Sequence, residues 1–219
     1  MTGVYALGSI SLAALIALAW SLYRRGCRAL FDCLTRLSAK RGGTVKAATL
    51  LTYPQLLFLR DGREIFVSAM PSGSSAGPQV SAREAETFAQ IYYDQPATLT
   101  FELHFGSGTN VITDLLSKPP VETGNAAFDT LFSLRANDEV LARTVFDREV
   151  QEKLLSLAVT ERARVALSTV TLFQGGRLVL GEERPRLTVA LGGIVTDDGA
   201  VDQALDLLLT LDDRLIRVL

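Results

Sequence analysis

Histidine occurs once in this chain, and cysteine and methionine twice each. That scarcity excludes much chemistry at the outset. The familiar zinc sites need three or four His and Cys ligands, and His104, Cys27 and Cys33 are the whole supply. The two cysteines lie six residues apart, which matches neither a C-x-x-C redox pair nor a zinc half-site. They read as small, fairly apolar helix residues. There is no Gly-x-Ser-x-Gly nucleophile elbow and no Gly-Lys-Ser/Thr phosphate loop. The segment Gly106-Ser-Gly-Thr-Asn-Val111 ends in Val where a dinucleotide loop needs Gly or Ala, so it reads as a turn. Asp197-Asp198 and Asp212-Asp213 lack the spacing of a calcium loop and read as helix-start and solvated-face acids. No catalytic, cofactor-binding or metal-binding residue is assigned from the sequence.

What the chain has in abundance is apolar surface near its start. Val4 to Tyr23 are twenty residues without a charge, and Arg24-Arg25 follow. At about 1.5 Å per helical residue this run spans roughly 30 Å, the hydrocarbon thickness of a bilayer. It predicts a single-pass transmembrane helix over 4–23, after a tail at 1–3. Ala17-Leu18-Ala19 resembles a signal-peptide cleavage site, but no basic residue precedes the run, which favours an anchor. Residues 24–46 carry seven basic residues and one acid out of 22 and 24 in the chain, a segment of +6 followed by a body of −8. The positive-inside rule then predicts an inner-membrane protein with its C-terminal domain in the cytoplasm and reduced cysteines. The expected partners are the bilayer through 4–23, anionic lipid headgroups through Arg24, Arg25 and Arg28, and an unidentified protein. An acidic body without a basic cluster argues against nucleic acid.

Residues 24–43 predict a basic juxtamembrane helix, with Leu30, Phe31, Leu34 and Leu37 on one side and Gly42-Gly43 ending it. Residues 44–219 predict one α+β domain of antiparallel strands with packed helices. Thr44–Leu51 reads as a strand, and Leu56–Arg60 and Glu64–Ala69 flank the hairpin turn Asp61-Gly62. Pro71 to Pro78 reads as a loop. Ser81 with Glu84 fits a helix capping box, but the aromatic and β-branched content of Phe88–Tyr93 and Ala97–Phe105 favours strands. Alternation sets His104 with Thr100 and Glu102 on a solvent-facing side, opposite Phe101, Leu103 and Phe105. Phe128–Leu134 reads as a strand, Asp138 as the cap of a helix through Phe146, and Glu149–Leu157 as a further helix. Val165–Phe173, Arg177–Leu180 and Arg186–Leu191 read as strands. A closing helix from Asp198 has Val201, Leu205, Leu208, Leu215 and Leu219 in one stripe and Asp202, Asp206, Asp213 and Arg217 on its wet face.

The stretch Thr123-Gly-Asn-Ala-Ala-Phe128-Asp129-Thr-Leu-Phe132, followed by Asp138 and then Leu154-Leu155, resembles a pattern found in a family of uncharacterised bacterial membrane-anchored proteins. This chain has Asn125 where that pattern has Asp, and Leu134 where it has Val. The resemblance implies the architecture of residues 111–219, ending in a strand hairpin and an amphipathic helix, and no activity. The residues themselves have a structural explanation. Gly124 permits a turn, Phe128 and Phe132 can face a core, and Asp129 can accept from nearby backbone N–H groups.

The expected function is therefore that of a non-catalytic domain binding a protein partner at the membrane. Two alternatives stand beside it. One is a membrane-surface enzyme in which Asp129, Asp138 and His104 converge in a cleft. The other is a small-molecule sensor with an apolar cavity between sheet and helix.

Overall fold

The computed structural model describes residues 2–49, 52–71, 85–94, 98–105, 118–160, 163–174 and 177–218. The chain begins with helix α1 (Thr2–Arg41), which continues without a break into the basic segment. Then come β1 (Thr44–Lys46), β2 (Gln55–Arg60), β3 (Arg63–Pro71), β4 (Ala85–Tyr92) and β5 (Phe101–Phe105). The second half contains α2 (Ala126–Leu131), β6 (Phe132–Ala136), α3 (Glu139–Val145), α4 (Arg148–Thr160), β7 (Ala163–Gln174), β8 (Arg177–Gly192) and α5 (Asp198–Leu215). The strands form one eight-stranded antiparallel sheet in the order β1-β2-β3-β4-β8-β7-β5-β6. The α+β class with antiparallel strands is as expected.

The membrane-spanning expectation is overturned. Among the described residues no helix is long and apolar enough to cross a membrane. The described side chains of α1 begin at Ser21. From there to Arg41 the helix carries Arg24, Arg25, Arg28, Asp32, Arg36, Lys40 and Arg41, and buries its apolar stripe in the protein itself. The transmembrane helix at 4–23, the single-pass topology and the inner-membrane localisation with a cytoplasmic domain are therefore corrected.

Alternation along the strands decides which face holds the core. Ile65, Val67 and Ala69 of β3, Ala89 and Ile91 of β4, Phe101 and Leu103 of β5, and Leu187, Val189 and Leu191 of β8 all point into one cluster. All five helices contribute to it: α1 through Leu30, Cys33, Leu34 and Leu37, α2 through Phe128, α3 through Val145, α4 through Val150 and Leu154, and α5 along its length. The folded unit thus begins inside α1 rather than at residue 44. Each buried Leu stabilises the docking by about 1.5–3 kcal/mol.

Turn chemistry sets the connections. Gly42 and Gly43 end α1 with φ of 82° and 102°, and a Cβ on Gly43 would lie 2.5 Å from the Leu57 carbonyl oxygen, so only glycine lets the chain approach β2 this closely. Asp61 and Gly62, at φ of 52° and 78°, make the β2–β3 hairpin.

Three local expectations change. The strand from Thr44 is three residues long. Residues 126–131 are helical, capped by Asn125, and the strand expected from Phe128 starts at Phe132. The two strands expected at Arg177–Leu180 and Arg186–Leu191 are one strand through Pro185. Pro185 sits just past the last β4 pair, where its carbonyl accepts from Tyr93 N at 2.9 Å and its ring nitrogen returns no bond, a cost confined to the end of that ladder. The loop at 72–78, the Ser81–Glu84 capping box, Gly106–Val111 and Gly175-Gly176 lie outside the described residues.

Candidate binding surfaces

The residues that an enzyme reading would bring together are kept apart. Asp129 lies in α2, where its carboxylate accepts from Thr123 N at 3.1 Å, Thr123 Oγ1 at 2.8 Å and Gly124 N at 3.2 Å. Asp138 caps α3 by accepting from Leu141 N at 3.0 Å. Asn125 caps α2 and donates to Gln151 Oε1 at 2.8 Å, tying α2 to α4. His104 is on the opposite face of the sheet, paired with Ser133 of β6. It is not solvent-facing as expected: its side chain is 17% exposed, and Nε2 is buried 3.6 Å from Glu102 Oε2 without a hydrogen bond. The reason is that this second face is itself buried at its centre, around Phe88, Gln90, Glu102, Thr188 and Ala190.

A polar cluster that sequence reading missed sits beneath α5. Asp212 is fully buried, and its Oδ1 accepts from the Arg63 guanidinium of β3 and from the Tyr93 hydroxyl at 2.8 Å. Its Oδ2 is buried without a partner. Burial, and then the adjacent Asp212 carboxyl, push the Tyr93 phenol well above its ordinary pKa. The cluster ties α5 to the sheet. On an amphipathic helix Asp212 and Asp213 look alike, yet Asp213 meets Arg60 at 3.2 Å near the surface while Asp212 is in the core.

Two surfaces have the character of binding sites. The first is an apolar strip on the sheet face away from the helical core at β2 and β3, where Leu57, Phe66 and Met70 are half-buried. Leu57 stands opposite Phe66, Leu59 is 74% exposed, and Met70 extends the strip. None of these four side chains joins the core, and Phe66 lies against Phe88 with ring centroids 5.6 Å apart. The second is a groove of about 580 Å³ between α1 and the segment after β1. Tyr23, Cys27 and Phe31, one helical turn apart, line it together with Arg24, Arg28 and Ala48. Burial raises the Cys27 thiol pKa, with a hydrogen bond from Tyr23 opposing the shift, and Tyr23 packs edge-on against Tyr53 at 5.5 Å. Of the three arginines expected to meet headgroups, Arg24 and Arg28 line this groove and Arg25 does not.

No family model matches the chain, and no curated protein matches it in sequence. In fold it is similar to the crystal structure of the mycobacterial trehalose monomycolate transport factor A, TtfA, with a TM-score of 0.52 and 12% identity over 88% of this chain and 97% of that one.

Proposed function

We propose that this chain is a non-catalytic α+β module that docks a protein partner in a membrane-associated process. The observation that carries this reading is the Leu57, Leu59, Phe66 and Met70 strip on the sheet face away from the helical core, with Leu59 74% exposed. Leu59 stands out into solvent with the half-buried Leu57, Phe66 and Met70 on the same face, and grouped apolar side chains at a surface mark an interaction site more often than isolated ones do. The fold shared with a protein described as a transport factor supports an accessory role beside a transport process. Asp129, Asp138 and Asn125 are committed to turns and caps, which supports binding over catalysis.

The test is site-specific photo-crosslinking in cells. A photoreactive residue at Leu59 is expected to give a discrete adduct that Phe66→Ser abolishes. The same residue at Val140, also 74% exposed but on α3, is expected to give none. Equal labelling from both positions would overturn the reading.

A further inference from the structure

We propose that the groove beside α1 receives an extended segment of a protein partner, which pairs as an added strand with the edge at β1 and brings an acidic residue to Arg28. Among the described residues β1 is the outermost strand at its end of the sheet, hydrogen-bonded to β2 on one side only. An edge strand presents alternate N–H and C=O groups that another extended chain can bond. The ladder with β2 stops at the Lys46–Gln55 pair, and the chain continues through Ala47, Ala48 and Thr49, which line the groove. The groove therefore has extended backbone on one wall and a helix on the other. In that arrangement main-chain bonds give an added strand its affinity, and pockets for alternate side chains give its specificity.

The helix wall fits such a segment in length and character. Tyr23, Cys27 and Phe31 follow one another at four-residue steps, so their stripe is about 12 Å long. Extended chain rises about 3.3 Å per residue, and roughly four residues cover that length with two side chains turned towards the stripe. Cys27 is 6% exposed and Phe31 half-buried, so the stripe is an apolar floor for those two side chains. Charge sets the sign of the segment. Arg28 on the groove wall and Lys46 at the end of β1 are exposed, and neither has an ion pair or side-chain hydrogen bond among the described residues. Arg24, also at the groove, has an interaction of its own and is not part of this match. A basic segment would be repelled by Arg28 and Lys46, and a helix would leave the edge of β1 unpaired.

The test is selection on the full chain from a phage library of random decapeptides, followed by fluorescence-anisotropy titration of one enriched peptide. Enriched sequences are expected to alternate apolar and polar residues and to include Asp or Glu. Arg28→Glu is expected to weaken the titrated peptide about tenfold, and Arg25→Glu, off the groove, to leave it unchanged. N-methylation of one alternate set of the peptide's amides is expected to weaken it about tenfold and of the other set to change nothing, because only one set faces β1. Equal effects of the two sets would mean a segment that fills the groove without pairing and would overturn the proposal. No enrichment, enrichment of basic or unpatterned sequences, or equal losses from Arg25→Glu and Arg28→Glu would overturn it too. Phe66→Ser, which removes the Leu59 adduct, is expected to leave the peptide bound, so this site and the protein-docking strip fail separately. A peptide lost with Phe66→Ser would belong to the strip and remove it from the groove.

Discussion

Two stretches of one helix carry the same charge and meet different fates. At the end of α1, Arg36 is bidentate to Asp198 at 2.5 and 2.6 Å, Lys40 reaches Asp202, and Arg41 bridges Asp202 and Asp206 at 2.7 Å each. A few turns earlier, Arg24 and Arg28 line the groove beside α1 and lie outside the contact with α5. Asp202 and Asp206, expected on a wet face of α5, are together with Asp198 the counterparts of the first set. The two helices run in the same direction along this contact, so Asp198, Asp202 and Asp206, four residues apart, match successive turns of α1. What a surface cation does depends on the element that the fold sets against it.

The strongest way to break the contrast is to undock α1 altogether. Leu34 is fully buried in the seam, and Leu34→Ala is expected to destabilise by about 3–4 kcal/mol in a denaturant titration, disordering both stretches together. A loss under about 1 kcal/mol would mean that α1 is not part of the folded unit. Next comes the anchor of α5. Asp212→Ala strands the Arg63 guanidinium and the Tyr93 hydroxyl, and an expected loss of about 2–3 kcal/mol would be read from the same titration. Arg41→Ala removes two partly exposed pairs and should cost about 1 kcal/mol, less in high salt.

The pH dependence sharpens the same comparison. Arg36 holds the Asp198 carboxyl below its ordinary pKa. Burial of Asp202 opposes such a shift, but Arg41 and Lys40 outweigh it and hold that carboxyl low as well. A carboxyl with a lowered folded pKa stabilises the fold above its unfolded value of about 4, and that contribution fades as pH falls through the folded value. Urea midpoints of the wild-type chain and Asp202→Asn should therefore differ at pH 7 and converge as pH drops below about 4. Arg28→Gln has the smallest expected effect on stability, within about 0.5 kcal/mol at any salt concentration. If it cost as much as Arg41→Ala, the cations lining the groove would be structural and the contrast would collapse.

Local chemistry made several elements legible. Asp61-Gly62 encodes a turn that both residues can enter at positive φ, and Asp138 offers the side-chain acceptor that α3 needs. The stripe of Val201, Leu205, Leu208 and Leu215 reads directly as the buried side of α5. The short helix α2 was not legible. Phe128 and Phe132 have the parity of a strand as well as the four-residue spacing of a helix, and a six-residue helix is too short for periodicity to separate the two. The uncharged run at 4–23 suggested a membrane span by its length and lack of charge, and nothing along the chain announced that the same helix docks on the core from Leu30 onward.

The groove and the apolar strip on the sheet were half visible. Arg24 and Arg28 stood out as charges, but nothing in their neighbourhood announced that Ala47, Ala48 and Thr49 would close the other side. Leu57, Leu59, Phe66 and Met70 read as ordinary strand residues. Only the tertiary structure sets them on the sheet face away from the helical core.

By itself the sequence determined the α+β class, the hairpin, the cap of α3 and the apolar stripe of the last helix. These depend on side chains acting on backbone within a few residues. The tertiary structure alone decided that Asp212 is buried while Asp213 is not, that half of the basic segment is matched to α5, and that His104 is enclosed. Those outcomes depend on which distant element lies opposite each residue, and burial and charge pairing across the sheet are set by that placement rather than by spacing along the chain.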